Sequence, residues 1–230
     1  YLGDPDFAHV PVRELLAESY LDRRLSGFSP VDATPSAKIQ AGKIPYPEKE
    51  ETTHYSIIDA ERNAVSVTTT LNDSYGSKVV VGGAGFLLNN EMDDFTSKPG
   101  ASNLFGLVQG EKNSIAPEKR PLSSMTPTIV LNEDNEPLFA IGSQGGSRII
   151  TQVLQFIIAV LDYHNNIATA VSLPKFHSQL WPDVLFYENG ISPDTLDLLR
   201  KKEHVLRESV PFGSLQIAQK NKTNFFGASD

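Results

Sequence analysis

The chain of 230 residues contains no cysteine, which excludes disulfides, thiolate nucleophiles and cysteine-ligated zinc. It leaves the compartment open, since a domain of this size builds its core without bridges. No run approaches the roughly 18 consecutive apolar residues of a membrane-spanning helix. Positive charge is in deficit, with 20 Lys and Arg against 28 Asp and Glu, a net charge of −8 and a pI near 5.1. Wholesale binding to nucleic acid or to an anionic membrane is therefore not expected. Also missing are H-E-x-x-H, the P-loop and G-x-G-x-x-G, so metalloprotease, nucleotide-hydrolase and dinucleotide readings lack support. His54, His164, His177 and His204 show no ligand spacing and read as structural.

What remains is ordinary globular composition, 40% hydrophobic and 21% charged, enough for one large domain. The chain opens Tyr1-Leu-Gly-Asp-Pro and stops at Phe226-Gly-Ala-Ser-Asp230 in what reads as a strand and turn, so a longer polypeptide is expected. Val12, Leu15, Leu16, Tyr20, Leu21 and Leu25 predict one amphipathic helix over 11–27. Residues 28–51, rich in Pro, Ser, Lys and Glu, read as a linker or exposed loop. Alternation over 53–59 and 64–71 around a turn at 60–63 predicts a hairpin, and 82–90 reads as a buried strand with its turn. Residues 93–124 form a long irregular stretch, the kind that serves as a lid or binding loop or else is disordered. A second hairpin follows at 128–131 and 138–141, then a largely buried helix at 148–164 marked by Ile149, Ile150, Val153, Leu154, Ile157, Ile158 and Leu161. A short helix near 168–172, a strand at 184–187, a helix at 193–202 and a strand at 215–218 complete a layered α+β pattern without βαβ repeats.

The border at Pro47-Glu-Lys-Glu-Glu-Thr-Thr-His-Tyr-Ser56 is where chemistry enters. A threonine hydroxyl is a weak nucleophile until a base stands beside it, and its own α-amine serves once the residue is N-terminal. That amine has a pKa of roughly 7.7–8.0, close to ambient pH. Thr52 could attack the Glu51 carbonyl, shift the acyl group from N to O and release both a new N-terminus and an activated nucleophile. A Thr-rich strand start is the plainer alternative. On the second arm, Thr68, Thr70 and Asn72 share one face of an alternating strand, suited to orienting Thr52 or to meeting solvent. Gly145-Gly146 precedes a helix, where backbone N–H groups suit an oxyanion or simply make a tight turn. Glu91, Asp93 and Asp94 stand at one end of the long loop and Ser123-Ser124 at the other, placed to grip a zwitterion or to do no more than form loop structure.

Taken together, Thr52-Thr-His-Tyr-Ser56, Leu87-Leu-Asn-Asn-Glu-Met-Asp-Asp-Phe95, Lys119-Arg-Pro-Leu-Ser-Ser-Met-Thr-Pro-Thr128, Gly142-Ser-Gln-Gly-Gly-Ser-Arg148 and the opening Tyr1-Leu-Gly-Asp-Pro-Asp-Phe7 resemble the γ-glutamyltranspeptidases nearly end to end. The resemblance implies the N-terminal-nucleophile hydrolase fold, a four-layer αββα sandwich made by a precursor that cuts itself into large and small subunits. It implies that residues 1–51 end the large subunit and 52–230 form most of the small, catalytic one. The cut falls between Glu51 and Thr52. Thr52 looks like the nucleophile and Thr70 the threonine that hydrogen-bonds it and assists maturation. Asn72, Glu91 and Asp94 match residues that hold the donor's α-amino and α-carboxylate groups. Ser123 and Ser124 match the carboxylate-binding pair, and Gly145 and Gly146 the oxyanion hole. Residues 98–112 are long enough to be a lid, with Phe105 where lidded relatives carry an aromatic gate. The implied activity is γ-glutamyl transfer from glutathione or a similar donor to water, an amino acid or a peptide, with no cofactor and no metal. The implied partner is a large-subunit segment upstream of Tyr1, including an arginine for the substrate carboxylate. A periplasmic or secreted location is the family expectation. A related acylase, for cephalosporin side chains or poly-γ-glutamate, and a non-catalytic precursor form are the alternatives.

Overall fold

The computed structural model describes residues 2–39 and 52–230; residues 40–51 of the expected linker, with Glu51, lie outside them. Strands β1 (Thr52–Ile58) and β2 (Ala64–Thr70) form the expected antiparallel hairpin, in a register that sets Thr52 opposite Thr70 and Ile58 opposite Ala64. The turn is closed by Asp59, whose carboxylate accepts from the Asn63 amide at 2.8 Å and from its side chain at 2.7 Å. Along the chain follow β3 (Thr128–Leu131), β4 (Pro137–Gln144), β5 (Phe176–His177), β6 (Leu185–Glu188), β7 (Leu206–Ser209), β8 (Ser214–Lys220) and β9 (Phe225–Ser229). Strands β3-β4-β8-β9 make one antiparallel sheet in that order, while β5-β6-β7 make a small mixed sheet.

Residues directly opposite in a hairpin share a face, so Thr52, His54, Ser56, Ser66, Thr68 and Thr70 project together, and β1 and β2 lie on β4 and β8. The interface is polar and satisfied. Ser56 donates to the Gln216 carbonyl at 3.1 Å and Ser66 to the Ile141 carbonyl at 2.9 Å. With its one proton so used, the Ser56 hydroxyl must accept from His54 Nε2, 3.0 Å away, leaving His54 Nδ1 to accept from Thr68 Oγ1 at 2.8 Å. That is a neutral imidazole, in keeping with burial, which lowers the His54 pKa. The ring lies against Gly142, where an added Cβ would come within 2.2 Å of it.

At the N-terminal end, α1 (Val12–Leu15) and α2 (Glu18–Leu25) replace the single helix expected over 11–27. Val12, Leu16, Leu21 and Leu25 are exposed, so neither piece gains the packing that sustains most protein helices, and the chain breaks at Ala17 in extended conformation. Helices α3 (Ile149–Leu161) and α4 (Ile167–Val171) cover the other face of the large sheet. Phe139, Ile141, Leu215 and Ile217 from the sheet meet Ile149, Val153 and Phe156 from α3. The Phe139 and Phe156 rings sit 5.7 Å apart, edge to face. Helix α5 (Pro193–Lys201) begins with Ser192 as its N-cap and proline in its first turn.

Two further expectations change. Helix α3 is buried on one side only, with Ile150 49% and Leu154 53% exposed; apolar residues on both faces hide which face meets the core. Residues 82–90 form no strand, holding only a Val80–Leu87 bridge, with Phe86 and Leu88 exposed. Glycines at 82, 83 and 85 give the stretch a turn's conformational freedom. The described residues thus supply α3/α4, the four-stranded sheet and the hairpin, three layers of an αββα sandwich; Tyr55, Ile57 and Val65 on the hairpin's outer face are exposed. Gly142→Ala should lower stability by about 1–3 kcal/mol through overpacking against His54. Urea unfolding checks this, and an unchanged midpoint would remove the ring from that position.

Candidate active site

Thr52 stands at the first position of β1, and its hydroxyl donates to Thr70 Oγ1 at 3.4 Å. Thr70 Oγ1 also accepts from the Asn72 amide at 2.8 Å. Asn72 lies past the strand end at φ 77°, a conformation asparagine tolerates better than most residues. It therefore reaches Thr70 through this local bond and not through strand alternation with Thr68. Asn72 is buried, and its Nδ2 donates to the Asn90 carbonyl at 3.2 Å, while the Asn90 side chain accepts from the Asp73 amide at 3.0 Å. A cleft of about 360 Å³ opens here, lined by Thr52, Thr53, Thr70, Asp73, Tyr75 and Gln144 among others.

Asn90 leads directly into a 3₁₀ turn, Glu91–Asp94. Burial pushes Asp94 up to about 8, helped by a hydrogen bond with Glu91 and by the charges of Glu91 and Asp93. Burial also raises Glu91. At neutral pH the pair holds a proton between its two carboxyl groups. Asp93 does other work, accepting from the Leu104 amide at 2.6 Å and so fastening the expected lid.

Gly145 and Gly146 follow β4 at φ 129° and 53° and enter a 3₁₀ turn, Gly146–Arg148, that runs into α3. Phe105 is only 6% exposed and packs on Gly146, where a Cβ would sit 2.9 Å from the ring. Ser124 Oγ donates to the Gly146 carbonyl at 3.1 Å. Ser123 is exposed, its hydroxyl accepting from the Met125 amide at 3.1 Å. The expected residues thus gather in two connected groups. Thr52, Thr70 and Asn72 are bonded in series and reach Glu91 and Asp94 through Asn90; Ser124 and Phe105 each contact Gly146. Gln144, next to Gly145, lines the Thr52 cleft and joins the two. Among the described residues no three acidic or histidine side chains gather as a metal site, and no helix is long and apolar enough to cross a membrane.

Sequence reasoning missed the supports. Asp4, buried although near the start of the chain, accepts from the Arg120 amide at 2.9 Å and from its guanidinium at 3.1 and 2.6 Å. These bonds hold the Asp4 carboxyl well below the usual carboxylate range and anchor the loop that carries Ser123 and Ser124. Behind the glycines, Gln179 accepts from Ser147 at 2.6 Å and from His177 Nε2 at 3.2 Å, and donates to the Phe105 carbonyl at 3.3 Å. Asp4 and Arg120 both sit in quoted motifs, yet nothing in the motifs pairs them.

The family model described as gamma-glutamyltranspeptidase matches residues 1–230. The chain is 47% identical over 231 residues to the glutathione hydrolase proenzyme of Escherichia coli (strain K12), covering all of this chain and 40% of that protein. It is 44% identical over 241 residues to the proenzyme of that name from Pseudomonas sp. (strain A14), covering 100% of this chain and 42% of that one. The chain therefore spans about two fifths of the length of these relatives. Among solved structures, a Helicobacter pylori γ-glutamyltranspeptidase mutant superposes with TM-score 0.74 at 52% identity, covering 77% of this chain and 98% of its own. The Pseudomonas nitroreducens enzyme complexed with L-DON gives 0.72 at 43% identity, with 77% of this chain and 94% of its own covered. A cephalosporin acylase from Bacillus halodurans, 22% identical, shares the fold over 100% of this chain and 40% of its own, with TM-score 0.78.

His177 gives this site an acid limit. Burial holds it down to about 4, below the roughly 6.5 of an unfolded histidine. The unfolded chain therefore takes up the proton first, so stability is full above pH 6.5 and falls as pH drops toward 4, by up to about 3 kcal/mol. Unfolding midpoints measured across that window should show the slope, reduced in His177→Gln.

Proposed function

The chain belongs to the γ-glutamyltranspeptidase family, and we propose that it carries the catalytic part of a self-cleaving γ-glutamyltransferase and glutathione hydrolase whose nucleophile is Thr52. The observation that carries this reading is the Thr52–Thr70–Asn72 series at the mouth of a polar cleft, with Thr52 first in its strand. Maturation begins when the Thr52 hydroxyl attacks the Glu51 carbonyl carbon. The C–N bond breaks as the ester forms, and water hydrolyses the ester to leave the Glu51 carboxylate and a free Thr52 α-amine. Residues 1–51 then belong to one subunit and 52–230 to the other. The two solved γ-glutamyltranspeptidases each cover 77% of this chain and nearly all of their own, a share close to that of residues 52–230. The two parts would stay together through Asp4–Arg120 and through Ser36, whose amide and hydroxyl both donate to Asp183 at 2.8 Å.

In turnover, the freed amine takes the Thr52 hydroxyl proton as the oxygen attacks the γ-carbonyl of the donor. The amides of Gly145 and Gly146 stabilise the oxyanion, each by about 3–4 kcal/mol. The proton passes to the leaving amine, the γ-glutamyl ester remains on Thr52, and water or an amine acceptor releases it. Asn72, Glu91 and Asp94 hold the α-amino end and Ser123 and Ser124 the α-carboxylate, Ser124 turning its hydroxyl from the Gly146 carbonyl to do so. Those two grips favour a donor with a free α-amino acid end over the apolar side chains an acylase would take.

N-terminal sequencing of the full-length protein tests the reading. The wild type should yield a new terminus beginning Thr-Thr-His-Tyr and release the amine of a γ-glutamyl anilide, while Thr52→Ala should stay uncut and lose at least about 10³-fold in rate. An active, normally cut Thr52→Ala variant would end it. The pH profile offers a second check. Asp94 must ionise to take an ammonium group, so kcat/KM should rise with pH toward about 8. Glu91→Gln removes a neighbour that helps hold Asp94 up, and the rise should move to lower pH. A rise that stays in place would assign it to the Thr52 α-amine.

A further inference from the structure

We propose that Asn113 is the positioning residue that sets the span between the ammonium grip and the carboxylate grip of the γ-glutamyl site. The inference rests on the functional reading above and adds to it a residue that touches no substrate. Asn113 ends a 3₁₀ turn, Glu111–Asn113, in the long loop and is 1% exposed. Its Nδ2 donates to the Asp94 carbonyl at 2.7 Å and also to Gln109 Oε1. Its Oδ1 accepts from the Leu122 amide at 2.9 Å. Asp94 belongs to the ammonium grip, and Leu122 directly precedes Ser123. One planar amide, using both donors and its acceptor, therefore ties the two halves of the substrate site to each other. Its backbone carbonyl adds a fourth hydrogen bond, accepting from the Thr96 amide at 2.9 Å.

Chemistry narrows the choice at this position. The bonds need donors and an acceptor on one short side chain, which an amide supplies. Aspartate would set carboxylate oxygens against two acceptors, and a small apolar residue would leave the Asp94 carbonyl and the Leu122 amide unpaired in a buried place. The serine side of the span is fixed independently. Lys119 Nζ closes its own loop on the Lys112 and Ser114 carbonyls at 2.8 and 2.7 Å, and Asp4 pins Arg120. An α-amino acid end presents ammonium and carboxylate on one carbon, so both grips engage only when their separation matches. Asn113 holds that separation.

The test uses the full-length protein with three anilides: γ-glutamyl, glutaryl (no α-amine) and 4-aminobutyryl (no α-carboxylate). In Asn113→Asp, kcat/KM for the γ-glutamyl anilide should fall about 100-fold, mainly through KM, while the two one-handled anilides barely change and cleavage before Thr52 proceeds. Asn113→Ser should show the same loss of preference. An equal fall on all three substrates, or an unchanged preference, would overturn the proposal. So would failure of both variants to accumulate folded, cleaved protein, since Asn113 would then serve the fold and not the grip. A wild type that ignores the γ-glutamyl anilide would instead sink the functional reading, and this inference with it.

Discussion

The pairing of β1 with β2 decides where the hydroxyl of Thr52, first in its strand, points. Because side chains alternate across a strand, a slip of one residue would turn Thr52 to the outer face and bring Thr53 in. The register is fixed from the inside. His54 occupies the space left by Gly142, Ser56 bonds β8, and Ser66 bonds β4. Each of these contacts fails if the hairpin shifts, so the polar interlayer holds Thr52 beside Thr70 as surely as an apolar one would. The oxyanion candidates arise from the same sheet, since Gly142 and Gly145 lie three residues apart at the end of β4. The strand that seats the hairpin thus also carries the glycines.

Around this frame the charged groups are set by loops. Asp94 is raised by burial and by Glu91, whereas Asp4 is lowered by Arg120. Two carboxylates of similar intrinsic acidity end in opposite states, one held protonated and one paired with a cation. The first suits a site that must exchange its proton for an ammonium group. The second suits a permanent clamp across the chain, between residues 4 and 120.

Much of this was legible in the sequence, and the limits have physical causes. Both hairpins follow from alternation and turn residues, and the Thr-Thr border is where β1 starts. Helix α3 was legible as a helix, but Ile150 and Leu154 are as apolar as Ile149 and Val153, so its open face was not. Residues 82–90 misled because Phe86-Leu87-Leu88 looks like a strand, while the glycines before it make a turn. Alternation places Asn72 on the face of Thr70, yet it lies beyond the strand and joins Thr70 through its amide. Asn113, Gln179 and the Asp4–Arg120 pair carry no local signal; a buried asparagine in a loop has the composition of an exposed one. Their roles come from contacts across many residues, which periodicity does not encode.

If Thr52 carries the acyl group as proposed, acid-quenched mass spectrometry of the full-length protein mixed with a γ-glutamyl donor will trap it. The expected product is a γ-glutamyl ester on the peptide whose N-terminus is Thr52, lost when an amine acceptor is added before the quench. Turnover with the adduct on another residue, or with a blocked N-terminus at Thr52, would contradict it.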